Sequence, residues 1–122
     1  MRLLILGFGK IGRTVFDLLQ SSGKYHITVG ENNEAALAEA AAKGAKTVTV
    51  DVGNRNSVIA ALQGQNLVVN ALPHFLNIML ASEAAAAGVH YFDLSEDVAT
   101  TRHIKELAKT AKTALMPQCG LA

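Results

Sequence analysis

At 122 residues, half of them hydrophobic, the chain has enough apolar material for one domain with a real core, and too little length for a second of ordinary size. Its formal charge of +1, with lysines and arginines scattered, excludes the basic stripe that nucleic acid requires and the polybasic patch that anionic membranes attract; neither partner is expected. A single cysteine, Cys119, rules out an internal disulfide and sits in no CxxC or Cys/His cluster, so no metal is expected and the compartment reads as reducing and cytoplasmic.

The first element predicted is a strand, Arg2 to Leu6, whose apolar run Leu3-Leu4-Ile5-Leu6 leads directly into Gly7-Phe8-Gly9-Lys10-Ile11-Gly12. The run is too short for a secretory signal, because it breaks at Gly7. A strand, a tight glycine turn and a helix start together make a pyrophosphate site. Gly7 lets the chain turn off the strand, Gly9 leaves room for phosphate against bare main chain, and Gly12 lets the helix lie close on the sheet. The helix then offers unpaired N–H groups and the positive end of its dipole to the two linked phosphates. Ile11, Val15, Leu18 and Leu19 repeat at helical spacing along it.

A second strand is expected from the run His26 to Val29, with Glu31 at its end, 19 positions past Gly12. There a dinucleotide fold places the acid that accepts from the adenosine ribose hydroxyls. Such a carboxylate repels the extra phosphate of NADP, and the next positions are Asn32 and Asn33 rather than basic residues, so NAD is expected over NADP. The alternative is that Glu31 is a solvated acid ahead of a helix capped by Asn32 or Asn33. The alanine-rich piece Ala35 to Ala42 is a strong helix former, and a third strand follows over Thr47 to Val50. Asp51 and Val52 then fall where an adenine ring would rest, or Asp51 is a turn residue ahead of Gly53 and Asn54.

Val58, Ala61 and Leu62 mark the next helix, and Leu67 to Asn70 the fourth strand. Asn70, Ala71, Leu72 and Pro73 close it with small residues and a proline, room for the second phosphate and the nicotinamide ribose to cross; a plain connection is the alternative. His74 is the one histidine whose position suits general-base work, with an inert exposed loop residue as the alternative, whereas His26, His90 and His103 read as structural. The apolar stretch from Leu67 to Val89 is interrupted by Asn70, Pro73, His74, Asn77 and Glu83, so it is no membrane span. Ala81 to Ala87 is helical, and Met79 and Met116 read as core. A fifth strand, His90 to Phe92, brings Asp93 to its carboxyl end, where it orients a substrate amine or a water, or caps the turn Leu94-Ser95-Glu96-Asp97. A helix carrying Ile104, Leu107, Ala108 and Ala111 precedes a sixth strand, Ala114 to Met116, and Cys119 follows with no adjacent base to activate its thiol. Gly23, Gly44, Gly64 and Gly88 each fall where a helix should stop.

Strands alternating with helices imply an α/β domain of Rossmann type: a doubly wound, six-stranded parallel sheet of order 3-2-1-4-5-6 with helices on both faces and the ligand crevice between strands one and four. The motifs Gly7 to Gly12, Asn70-Ala71-Leu72-Pro73-His74-Phe75, His90-Tyr91-Phe92-Asp93-Leu94 and Gln118-Cys119-Gly120-Leu121-Ala122 together resemble the N-terminal cofactor domain of the saccharopine dehydrogenase-like family. That resemblance spans the whole chain. It implies reversible oxidative deamination, with hydride passing between nicotinamide C4 and an amine-bearing carbon of a lysine-derived amino acid. It also implies nucleotide contacts at Gly7, Phe8, Gly9, Lys10, Ile11, Glu31, Asn32, Asp51, Val52, Asn70, Ala71, Leu72 and Pro73, with Asp93 and Cys119 bordering the reacting carbon.

Two departures bear on function. The family continues into a proline-glycine turn and a C-terminal substrate domain where this sequence ends at Ala122, and Asn32 stands where many relatives carry arginine. Residues 1–122 are therefore expected to be the dinucleotide-binding domain of an amino-acid oxidoreductase without its substrate domain, binding cofactor and inactive alone, with a homodimer left open. A stand-alone NAD- or ATP-binding regulatory module of the potassium-transport type is the alternative, and a scaffold with a vestigial site the third.

Overall fold

The computed structural model describes residues 1–93, 104–109 and 112–116. In chain order the elements are β1 (Arg2–Leu6), α1 (Lys10–Ser22), β2 (His26–Glu31), α2 (Glu34–Ala42), β3 (Lys46–Thr49), α3 (Arg55–Leu62), β4 (Leu67–Asn70), a 3-10 turn (His74–Leu76), α4 (Asn77–Ala87), β5 (His90–Asp93) and β6 (Leu115–Met116). Residues 104–108 form a further helical segment. Five parallel strands in the order β3-β2-β1-β4-β5 make the body of the sheet, and the expected sixth strand is reduced to the two-residue β6 alongside β5.

β1 lies at the centre because its residues are apolar on both faces, as a strand covered from both sides must be. Leu3 and Ile5 pack with Phe8, Phe16, Val29, Ala36 and Ala40 beneath α1 and α2. Leu4 and Leu6 pack on the other face with Val58 and Leu62 of α3, Leu80 and Ala84 of α4, Tyr91 and Ile104. Each such buried aliphatic chain contributes about 1.5–3 kcal/mol relative to exposure. The register aligns the strand ends: Leu6 lies opposite Gly30 on one side and Asn70 on the other, and Asn70 opposite Asp93. The carboxyl ends of β1, β2, β4 and β5 thus form one rim, and the glycine turn leaves from its middle.

β2 ends at Glu31 as expected, two residues past the run His26 to Val29, because Gly30 and Glu31 still pair with Leu6 and with Val48 and Thr49. Several other elements differ from their sequence-based expectation. β3 starts one residue early and ends at Thr49, although the Val50 N–H continues the ladder to the Glu31 carbonyl at 3.0 Å. α1 buries Gly12 and Phe16, with Val15 and Leu19 half-buried, while Ile11 and Leu18 are 46% and 67% exposed. The close approach of Gly12 to the turn fixes how the helix is rotated, and the line through residues 12, 16 and 19 faces the sheet. Asn33, not Asn32, caps α2, its Oδ1 accepting from the Ala36 N–H at 3.0 Å. The four glycines expected to end helices all have positive φ. His103, Ala111 and the Leu94-Ser95-Glu96-Asp97 turn lie outside the described residues.

Candidate functional site

At the end of β1 the chain reverses through Gly7, whose φ of +93° favours glycine and whose N–H donates to the Gly30 carbonyl at 2.9 Å. A Cβ on Gly7 would press at 3.0 Å on the Ala71 carbonyl oxygen and Leu72 Cδ2, and one on Gly12 would collide with the Gly7 carbonyl oxygen. Two of the three fingerprint glycines are thus demanded by the fold. The third is not: a Cβ on Gly9 would meet nothing within 4 Å, so the space above it is open. Gly9 also caps α1 without a side chain, so no capping group takes up the first-turn amides that an α-helix leaves without internal partners.

Phe8 anchors the turn rather than lining that space. Its ring is buried edge-on against Phe16 at 5.8 Å, beneath the Arg13 guanidinium at 5.4 Å. Arg13 reaches across from α1 to grip Glu39 of α2 through two hydrogen bonds, Nη2 to Oε1 at 2.9 Å and Nε to Oε2. Those bonds hold the Glu39 carboxyl below its ordinary range and raise the Arg13 guanidinium above its own. Lys10 and Ile11 are exposed at the start of α1.

Glu31 is neither free nor simply solvated. Its Oε2 accepts from the Phe8 N–H at 2.8 Å and its Oε1 from the Asn32 N–H at 3.0 Å, so the half-buried carboxylate ties the glycine turn to the end of β2. Each oxygen accepts one bond here and has capacity for a second. Leu6, Gly30, Glu31, Asn32, Val50, Val52 and Leu72 line a small cleft beside it. Asp51 is exposed and its Oδ1 accepts from the Gly53 N–H at 2.9 Å, the turn geometry that was one of its two readings. Val52 is half-buried against the core.

Across the crevice, Ala71 and Leu72 are half-buried and Pro73 is exposed. Asn70 is 2% exposed and turns its side chain inward, Nδ2 donating to Asn77 Oδ1 at 2.6 Å and to the Tyr91 hydroxyl at 3.1 Å, while Oδ1 accepts from the Leu72 N–H at 2.9 Å. The Tyr91 hydroxyl in turn donates to Asp93 Oδ2 at 2.7 Å, and Asp93 is itself buried. Sequence reasoning missed Tyr91 and Asn77 as members of this network. One signal was present: Asn77 sits at helical spacing from Leu80, Ala81 and Ala84, a polar residue on a core face that needs partners.

Cys119 and the segment Gln118 to Ala122 lie outside the described residues, as does the side chain of His74 in the 3-10 turn. Among the described residues no three His, Cys, Asp or Glu side chains are grouped to hold a metal ion, and no helix is long and apolar enough to cross a membrane. A larger cleft of about 850 Å³ opens among Arg2, His26, Lys46 and Gln65 at the amino ends of the strands. Its glycines, Gly44 and Gly64, close helices rather than open one, so no helix N-terminus faces it, and in an open α/β sheet ligands bind at the opposite rim.

Residues 3–116 match the family described as the saccharopine dehydrogenase NADP binding domain. The fold is similar to that of apo saccharopine dehydrogenase (L-Glu forming) from Saccharomyces cerevisiae, with a TM-score of 0.84 and 23% identity over 98% of this chain and 27% of that one. It is also similar to the WlbA dehydrogenase from Chromobacterium violaceum, solved with NADH and UDP-GlcNAcA, with a TM-score of 0.76 and 20% identity over 96% of this chain and 34% of that one. The TrkA-N domain of the inner membrane protein ybaL from Escherichia coli is matched with a TM-score of 0.74 and 18% identity, over 94% of this chain and 86% of that one. The chain therefore spans about a quarter to a third of the length of the two dehydrogenases.

Proposed function

The chain belongs to the family of saccharopine dehydrogenase NADP-binding domains, and from that premise we propose that it is the dinucleotide-binding part of an amino-acid oxidoreductase, completed by a substrate domain. Bound at the rim, the nicotinamide would supply or accept the hydride exchanged with an amine-bearing carbon. The observation that carries this reading is the open space over Gly9, bounded by two glycines the fold requires and by the start of α1, where no side chain caps the helix. An anion seated there would gain main-chain amides and the positive helix end without needing an arginine. Gly7 to Gly12 would hold the pyrophosphate, Glu31 and Asn32 the adenosine ribose, Val52 and the rim of β3 the adenine, and Ala71 to Pro73 the nicotinamide side. Asn70 would act from behind through the shape of that loop, and Asp93 through Tyr91.

NAD is the proposed coenzyme although the family is described by NADP. A phosphate on the 2′ oxygen would meet the Glu31 carboxylate, and Asn32 and Asn33 bring no compensating charge. The domain alone would bind cofactor and transfer nothing, because hydride transfer needs the acceptor carbon held close and water excluded. Titration calorimetry tests the reading: NAD should bind more tightly than NADP, and Glu31→Ala should cost about 1.5–3 kcal/mol of NAD affinity, the range for hydrogen bonds to a charged group. Equal affinities with an unaffected variant would contradict it, and ATP binding in preference to NAD would favour the regulatory-module alternative.

A further inference from the structure

Resting on the dinucleotide reading above, we propose that Tyr91 is a positioning residue for the coenzyme, acting through Asn70 on Leu72, the side chain that forms the far wall of the crevice. The two ends of a carboxamide have nearly the same shape, so only its partners decide which way it faces. Asn77 Oδ1 and the Tyr91 hydroxyl, at 2.6 and 3.1 Å, both draw the Nδ2 end of Asn70, which leaves Oδ1 facing the Leu72 N–H at 2.9 Å. Tyr91 can accept from Asn70 because its single proton is directed elsewhere: Asp93 Oδ2 lies at 2.7 Å, the Asn77 carbonyl oxygen at 3.5 Å. The result is a directional relay across the buried ends of β4 and β5, whose last residues, Asn70 and Asp93, are opposite one another.

What the relay holds is functional in position. Leu72 Cδ2 and the Ala71 carbonyl oxygen stand where a Gly7 Cβ would touch them at 3.0 Å, so this loop abuts the glycine turn. Leu72 also lines the small cleft that Glu31 and Val52 share. A shift of the Leu72 backbone therefore alters the wall facing the phosphates and the wall facing the adenosine together. None of Asn70, Asn77, Tyr91 and Asp93 lines that cleft, so their influence on a ligand there passes through the loop.

The test is a double-mutant cycle read by NAD affinity in the purified protein. Tyr91→Phe should weaken NAD binding about three- to tenfold, the range for the neutral hydrogen bond from Asn70 through which the hydroxyl acts on Leu72. In a Leu72→Ala background the same change should cost less than about twofold, since residues acting through one another are not additive. Asn77→Ala, which removes the other acceptor of the Asn70 amide, should behave like Tyr91→Phe and serves if that variant does not fold. In the ligand-free protein, hydrogen exchange at the Leu72 amide should quicken in either variant. Unchanged affinity in folded Tyr91→Phe, or effects of Tyr91→Phe and Leu72→Ala that simply multiply, would overturn the proposal. Absence of NAD binding by the unaltered protein would overturn the dinucleotide reading instead, and unaltered Leu72 exchange would overturn the relay by itself.

Discussion

The three fingerprint glycines are alike in sequence and unlike in what they do, which makes them separable by experiment. At Gly12 a methyl group collides with the Gly7 carbonyl oxygen, so Gly12→Ala must displace backbone and should destabilise the fold by about 1–3 kcal/mol, as overpacking does. At Gly9 the φ of −80° and extended ψ suit any residue and the added methyl meets nothing. Gly9→Ala should therefore cost no more than about 1 kcal/mol, the loss of a tolerable helix cap, yet it should abolish or sharply weaken coenzyme binding. Urea melts and binding titrations of the two variants check the contrast; a Gly9→Ala protein that binds normally would show that the space above Gly9 is not used. Gly7 and Gly12 were legible because a missing side chain states a backbone requirement locally. Asn70 was only half legible: its place at the end of β4 was clear, but the partners that turn it inward lie 7 and 21 positions further along.

Between elements, charged side chains serve as ties. Glu31 joins the turn to β2, and Arg13 with Glu39 joins α1 to α2 over the Phe8 ring. Because the Arg13 hydrogen bonds depress the Glu39 carboxyl in the folded state, the pair contributes stability that is present above the unfolded carboxylate range. That contribution is lost as pH falls through the depressed folded value. Both side chains are about two-fifths exposed, so the effect is small and screened by salt. Glu39→Gln should lower the urea midpoint slightly at neutral pH and flatten its decline on acidification. A variant that follows the parent on the acid side would show that the pair contributes nothing. Apolar runs and periodicity marked the strands, α1 and α3, and alanine content marked α2 and α4, but the 3-10 turn at His74–Leu76 carried no such signal and the rotation of α1 was misread: periodicity placed Ile11 and Leu18 with the core residues, and the approach of Gly12 to the turn overrode it. The sixth strand was drawn longer than the two residues that pair with β5.

For the molecule as a whole, the order of the five strands follows from a central apolar strand, a glycine turn at its end and alternating helices, all visible in the sequence. The level carboxyl rim and the buried relay behind it were not visible, since both depend on register between strands far apart in the chain. The central claim is that main-chain amides from Gly9 to Gly12 receive the linked phosphates of a coenzyme at this rim. Amide chemical shifts followed by NMR during titration with NAD test it most directly. The largest changes should fall on Gly9, Lys10, Ile11 and Gly12, with smaller ones at Glu31 and Leu72. Changes centred on Arg2, His26 and Gln65 at the opposite edge, or none at millimolar coenzyme, would contradict the account.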